Sequence, residues 1–101
     1  MNEVDQWAGV PFQSVYEDYA EVPTYRCPCC RSLTLHGRGH FEMCPVCRWE
    51  DDGQDEAEAA RVRGGPNGML SLTQARLNFA RCGACDPERA VRARPPTEAE
   101  R

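Results

Sequence analysis

Apolar and polar positions alternate along Leu33-Thr34-Leu35-His36 and again along His40-Phe41-Glu42-Met43-Cys44. Alternation on both sides of Gly37-Arg38-Gly39 predicts a β-hairpin closed by a glycine-rich three-residue turn. The period changes at Ser71. Leu72, Ala75 and Phe79 fall at i, i+3 and i+7, Ser71 and Gln74 form a capping-box pair, and Gly83 is placed for the left-handed residue that ends a helix. A second, shorter helical turn is expected where Asp86 precedes Pro87 and Glu88, with Pro95-Pro96 ending it. Ala57, Ala59 and Ala60 allow a short helical turn in the acidic stretch beyond Trp49, and Gly64-Gly65-Pro66-Asn67-Gly68 marks a loop.

The flanks are less regular. In residues 1–22, Trp7, Val10, Phe12, Val15, Tyr16 and Tyr19 are spaced without a period around Pro11, which reads as an N-terminal extension able to pack on the domain or dock a partner. The domain proper is expected over 23–94. Residues 95–101 read as a C-terminal tail, and Thr97-Glu98-Ala99-Glu100-Arg101 as a frayed end.

With 101 residues, five Leu, seven Val and no Ile, the chain has one small domain's worth of sequence and a thin supply of core side chains. Domains of this size usually need disulfides, a structural metal or a partner, and seven cysteines point to which supplement is used. The first six residues are acidic where a signal peptide is basic, and no apolar run follows them, so a cytoplasmic protein is expected. No run of about 20 apolar residues is present for a membrane span. In a reducing compartment clustered thiols more often hold metal than pair with each other.

The net charge of −4 conceals segregation. Five acids and no base give −5 over residues 1–22, and four Arg against Glu42 give +3 over 23–49. Six acids give −6 over 50–58, seven Arg against Asp86 and Glu88 give +5 over 59–94, and the last seven residues add −1. Such blocks fold against each other or stay solvated. With two long acidic stretches the chain makes a poor general binder of phosphate backbones.

Cys27-Pro28-Cys29-Cys30-Arg31 and Cys44-Pro45-Val46-Cys47-Arg48 are two copies of one pattern, seventeen residues apart. Two residues between cysteines let one tight turn present both sulfurs to a single ion about 2.3 Å away, and proline presets the backbone of that turn. Alignment of the copies selects Cys27, Cys30, Cys44 and Cys47 as ligands of one zinc ion. It sets Cys29 against Val46, a position that needs no thiol. An iron centre of rubredoxin type or a pair of disulfides remains open on the same spacing. A closed four-thiolate site leaves zinc no position for water, so the metal is expected to be structural. Arg31 and Arg48 either offset the formal charge of such a site or are ordinary surface residues. His36 and His40 are expected to be polar hairpin residues, since four thiols suffice.

Glu50-Asp51-Asp52 follows the second turn without the spacing of a calcium loop, which favours helix capping or pairing with Arg61, Arg63 or Arg76. Trp49 is expected as a lid over metal and hairpin. Cys82-Gly83-Ala84-Cys85 has dithiol spacing, but it follows the C-terminal end of a helix, where the dipole disfavours a thiolate. Burial is the expected role of Cys82 and Cys85, with a second zinc held together with Cys29, or thiol redox chemistry, as alternatives.

The succession from Cys27-Pro28-Cys29-Cys30 through Cys44-Pro45-Val46-Cys47, Trp49-Glu50-Asp51-Asp52-Gly53, Gly64-Gly65-Pro66-Asn67-Gly68, Ser71-Leu72, Ala75-Arg76 and Asn78-Phe79 to Gly83-Ala84-Cys85-Asp86 resembles the bacterial CPCC cysteine-rich family. The resemblance implies a small zinc-ribbon-like domain. The long N-terminal segment, Arg31 where glycine is common, and Cys82 depart from the usual pattern. The expected fold is therefore a small α+β metal-stabilised domain, in which a zinc-ribbon-like hairpin with two Cys-Pro-x-Cys turns is followed by one main helix. Its expected role is a protein-interaction or adaptor module, with another protein as partner. The alternatives are a thiol redox or zinc-sensing protein, and a nucleic-acid binder using Arg76, Arg81, Arg89, Arg92 and Arg94. No catalytic triad, P-loop or dinucleotide fingerprint is present in the sequence, so an enzyme is not expected.

Overall fold

The computed structural model describes residues 22–101, so the aromatic positions of the N-terminal extension lie outside the described residues. Two short antiparallel strands come first, β1 (Tyr25–Arg26) and β2 (Leu33–Leu35), with Tyr25 opposite Leu35, Arg26 opposite Leu33, and an irregularity between the two pairs. What joins them is the first cysteine turn. The second turn is closed in the same way by Met43 opposite Glu50 and by the Cys44 amide donating to the Trp49 carbonyl at 2.9 Å.

This replaces the expected hairpin. Leu33–Leu35 does not pair with the run from His40 to Cys44; each flank pairs instead with the far side of its own cysteine turn. Each Cys-Pro-x-Cys segment reverses the chain through a residue at positive φ, Arg31 or Arg48, and the bonds from the Cys27 amide to the Ser32 carbonyl and from the Cys44 amide to the Trp49 carbonyl start the pairing across that reversal. The glycine-bearing stretch 36–40 becomes a bend. It is fastened by Asp51, whose Oδ2 accepts from Arg38 Nε at 2.7 Å and from the Gly39 amide at 2.8 Å.

Helix α1 (Leu72–Cys82) forms where the apolar spacing placed it. Ser71 Oγ accepts from the Gln74 amide at 3.0 Å, and Gly83 ends the helix in the left-handed region at φ 79°. Only half of the capping box is made, because the Gln74 amide group turns away and donates to Asn78 Oδ1 at 2.9 Å. Gln54, fully buried, accepts from the Leu72 amide at 3.3 Å and so serves the helix start as well.

Short 3-10 helices fill the rest, at Glu56–Glu58, Gly65–Asn67, Pro87–Arg92 and Glu98–Glu100. The third begins as expected, with Asp86 Oδ1 accepting from the Glu88 amide at 3.0 Å. The end expected to fray is instead tied down. Thr97 and Glu100 form a reciprocal capping box, Arg94 holds the Glu100 carboxylate with two bonds of 2.8 Å, and Arg26 donates to the carbonyls of Glu100 and Arg101.

The core is small and sulfur-rich. Trp49, Leu35, Leu72, Val46 and Ala75 are buried with Cys27, Cys44, Cys47 and Cys85, and Phe79 and Leu70 pack against them. Trp49 does sit with the cysteines and not on the surface, and its Nε1 has no hydrogen-bond partner among the described residues. The helix buries Leu72, Ala75 and Asn78 on this core.

Candidate metal centre

The two cysteine turns repeat one another in detail. The Arg31 amide donates to the Cys27 carbonyl and the Arg48 amide to the Cys44 carbonyl, both at 2.8 Å. The Cys27 amide donates to Ser32 and the Cys44 amide to Trp49. Arg31 and Arg48 take positive φ values of 69° and 72°. That conformation turns the chain back after the second cysteine, and it explains why glycine suits the position, since it alone adopts the left-handed region without a Cβ penalty.

The thiols of Cys27, Cys30, Cys44 and Cys47 all lie within 4.8 Å of one another. Cys27 Sγ is 3.6 Å from Cys47 Sγ, and Cys30 Sγ is 3.7 Å from Cys44 Sγ. Both separations are far above the ~2.05 Å of a disulfide and close to the ~3.8 Å edge of a tetrahedron whose vertices stand ~2.3 Å from a central ion. All seven cysteines are free. Cys27, Cys44 and Cys47 are fully buried, while Cys30 is partly open to solvent.

Hydrogen bonding among the four sulfurs splits their protonation. Bonds from Cys27 and Cys30 lower the pKa of Cys44, whereas the shared bonds, with Cys30 foremost for Cys27 and Cys27 foremost for Cys47, raise those two. A metal binds thiolates, so its entry displaces thiol protons and the site's affinity depends on pH.

Two groups that sequence reasoning did not single out serve the sulfurs. Thr34 Oγ1 donates to Cys44 Sγ at 3.1 Å, and the Cys29 amide to Cys27 Sγ at 3.4 Å. Thr34 owes this to its place in β2, one residue before the fully buried Leu35. The only signal available was a hydroxyl in an alternating run seven residues after Cys27. The compensating cations also differ from those considered. Arg76, whose Nε donates to the Pro28 carbonyl at 2.8 Å, sits in the field of Cys27 and Cys29. Arg94, whose amide donates to the Val46 carbonyl at 3.1 Å, sits in that of Cys44. Arg31 turns to Glu56 at 3.2 Å.

The remaining candidates stand apart from the cluster. His36 Nδ1 lies 2.7 Å from Glu42 Oε2, which accepts its hydrogen bond. Among the described residues, the four cysteines are the group of three or more His, Cys, Asp or Glu side chains that could hold an ion, and it contains neither His36 nor His40. Cys29, Cys82 and Cys85 are not brought together as a second such group. Cys29 is buried in the core, Cys82 is exposed, and burial pushes the Cys85 thiol up to about 12, away from activation. Of Glu50-Asp51-Asp52, Asp51 is paired with Arg38 and Asp52 accepts from Gln54. Pairing with Arg63 and Arg76 falls to Glu58 and Glu56 instead, because the chain turns inward at Asp51 and re-emerges only at Asp55.

The arginines set aside for nucleic acid are largely engaged within the fold. Arg76 binds Pro28 and Glu56, Arg89 binds the carbonyls of Arg48 and Pro66, and Arg94 binds Glu100. No helix among the described residues is long and apolar enough to cross a membrane. Compared with known proteins, residues 25–100 match the model of a family described as cysteine-rich CPCC. No curated protein and no solved structure matches the chain.

Proposed function

The chain belongs to the cysteine-rich CPCC family, and we propose that Cys27, Cys30, Cys44 and Cys47 hold one structural zinc ion in a zinc-ribbon-like cytoplasmic domain that acts as a protein-interaction module. The observation that carries the reading is the thiol cluster: four sulfurs spaced as tetrahedral edges, three of them fully buried. Four thiolates complete the coordination of zinc and leave no place for a water or a substrate. The ion therefore contributes folding energy, on the order of 10 kcal/mol or more for sites of this kind. That contribution suits a core this small. What is then presented to solvent is the surface the ion stabilises.

That surface includes Phe41, 56% exposed in the left-handed region at φ 61°, an arrangement rare for a bulky side chain. Strain of this sort concentrates where a fold presents a residue for use. Tagged protein purified from its host, beside a Phe41→Ser variant with the same metal content, tests the module. A protein should co-purify with the former and be lost with the latter. If nothing co-purifies specifically, the interaction reading fails.

A further inference from the structure

Most acids of the stretch 50–58 are matched by arginines within the fold. Asp51 and Asp55 pair with Arg38, Glu56 with Arg31 and Arg76, and Glu58 with Arg63, which leaves Glu50 and Asp52 with no ion pair among the described residues. Asp52 is the unusual one of the two. It is only 9% exposed, and its carboxylate accepts from the Gln54 backbone amide at 3.2 Å and from Gln54 Nε2 at 3.1 Å, both neutral donors. A buried carboxylate is ordinarily matched by a cation, because neutral hydrogen bonds leave its charge uncompensated.

Asp52 lines a cleft of about 200 Å³ together with Phe41, Arg63, Gly64, Gly65 and Pro66. The guanidinium of Arg63 is held by Glu58 at 2.9 Å, so one negative charge in the cleft, that of Asp52, stays unmatched. Beside it, the exposed Phe41 is fixed by its amide, which donates to the Asp51 carbonyl at 2.9 Å. Met43 is also exposed and stands opposite Glu50, and opposite residues of an antiparallel pair share a face. The surface thus joins two apolar side chains to two unmatched carboxylates.

We propose that this cleft docks a lysine or arginine side chain carried by a segment of a partner protein, with its cationic head against Asp52 and the Phe41 ring and the flanking residues of the segment on Met43. The proposal rests on the reading of the domain as an interaction module and names the chemistry of what it binds. Three features select that occupant. An aromatic face attracts an organic cation within about 6 Å, whereas a hard metal ion takes about six or more oxygens, and among the described residues Asp52 belongs to no group of ligating side chains that could hold an ion. The cleft is smaller than the about 300–1,000 Å³ of small-molecule pockets, which suits one long side chain in place of a free ligand. An acidic or phosphorylated segment is repelled, since both unmatched charges are negative.

The test titrates the isotope-labelled, metal-loaded full chain with an acetylated and amidated Gly-Leu-Arg-Gly tetrapeptide and follows backbone amide shifts by NMR. The same peptide with citrulline for arginine keeps the shape and removes the charge, and propylguanidine supplies the head group without a peptide. Shifts should concentrate at Phe41, Asp52, Gly64 and Gly65. Citrulline should weaken binding about fivefold, as should Asp52→Asn and Phe41→Ser in chains of unchanged metal content. The citrulline arm needs no variant, so it decides even where a substitution disturbs the fold. Absence of binding overturns the proposal, as do equal binding of the arginine and citrulline peptides, unweakened binding to Asp52→Asn, and shifts centred elsewhere. Propylguanidine binding as tightly as the peptide also overturns it, in favour of a small-molecule site. Because the probe is synthetic, the result stands apart from co-purification: a partner retained by the wild type, without binding of the arginine peptide, keeps the module and rejects this docking chemistry.

Discussion

Arg76 and Pro28 are 48 residues apart, yet Arg76 Nε lies 2.8 Å from the Pro28 carbonyl, so the main helix is pinned to the turn that carries Cys27 and Cys30. The same guanidinium holds Glu56 with bonds of 3.1 and 2.7 Å. The two contacts are unequal in worth. Glu56 is 70% exposed, so solvent screens its ion pair, whereas a hydrogen bond from a charged group to a part-buried carbonyl contributes about 1.5–3 kcal/mol. Arg76→Ala should therefore cost about 2 kcal/mol in denaturant unfolding of the metal-loaded protein, and Glu56→Gln clearly less. Equal losses would place the stabilisation in the ion pair instead.

Asp51 is fully buried and accepts from Arg38, Gly39 and Gly53. Asn has the same shape but opposes these donors with its own N–H groups and leaves Arg38 without a counter-charge. Asp51→Asn should destabilise by about 2–4 kcal/mol, and Asp52→Asn, facing the neutral Gln54 side chain, by less. Thermal denaturation of the two variants makes the comparison.

Arg31 holds a positive φ of 69° while its side chain, 63% exposed, pairs with Glu56 among the described residues. A residue with a Cβ costs about 1 kcal/mol in that region. Arg31→Gly should raise stability by up to about 1 kcal/mol, whereas Arg31→Val should lower it by more than Arg31→Ala does. The denaturation midpoints, measured at saturating zinc, decide the order.

The three thiols outside the cluster should separate by chemistry. Cys29 is buried where the second turn carries Val46, itself buried, so Cys29→Val should retain one metal per chain. At pH ~8 Cys82 should be the thiol alkylated in the native protein, and Cys85 should resist. Burial raises the Cys85 pKa in the fold to about 12, above the ~8.5 of an unfolded thiol. Its contribution to stability is therefore complete below about pH 8.5 and fades as pH rises through 12. Cys85→Val should show less alkaline destabilisation over that window, and rapid alkylation of Cys85 at neutral pH would contradict the assignment.

Much of this was legible in the sequence, and the rest was not, for identifiable reasons. Ser71, Gly83 and Asp86 mark element ends because capping is a local interaction decided by a few neighbouring residues. The pairing of Cys27 with Cys44 and Cys30 with Cys47 in the alignment brought out the thiols that the structure draws together. The hairpin failed because alternation gives a strand its faces but not its partner; the tight reversal at Arg31 gave Leu33–Leu35 to Tyr25–Arg26. Nor could local pattern show that Asp51 would take Arg38, that Arg76 would reach Pro28, or that Glu100 would be locked by Arg94. Those are long-range choices among many chemically equivalent arginines.

The central claim is that the four-thiol cluster is a zinc site on which the fold depends. The most direct measurement is elemental analysis of the purified wild-type chain, combined with circular dichroism as a chelator is titrated in and zinc is returned. One equivalent of zinc per chain is expected, with cooperative unfolding on its removal, refolding on its return, and neither metal nor fold in Cys44→Ser. A metal-free wild type that unfolds cooperatively with undiminished stability would contradict the account, as would stoichiometric iron in place of zinc.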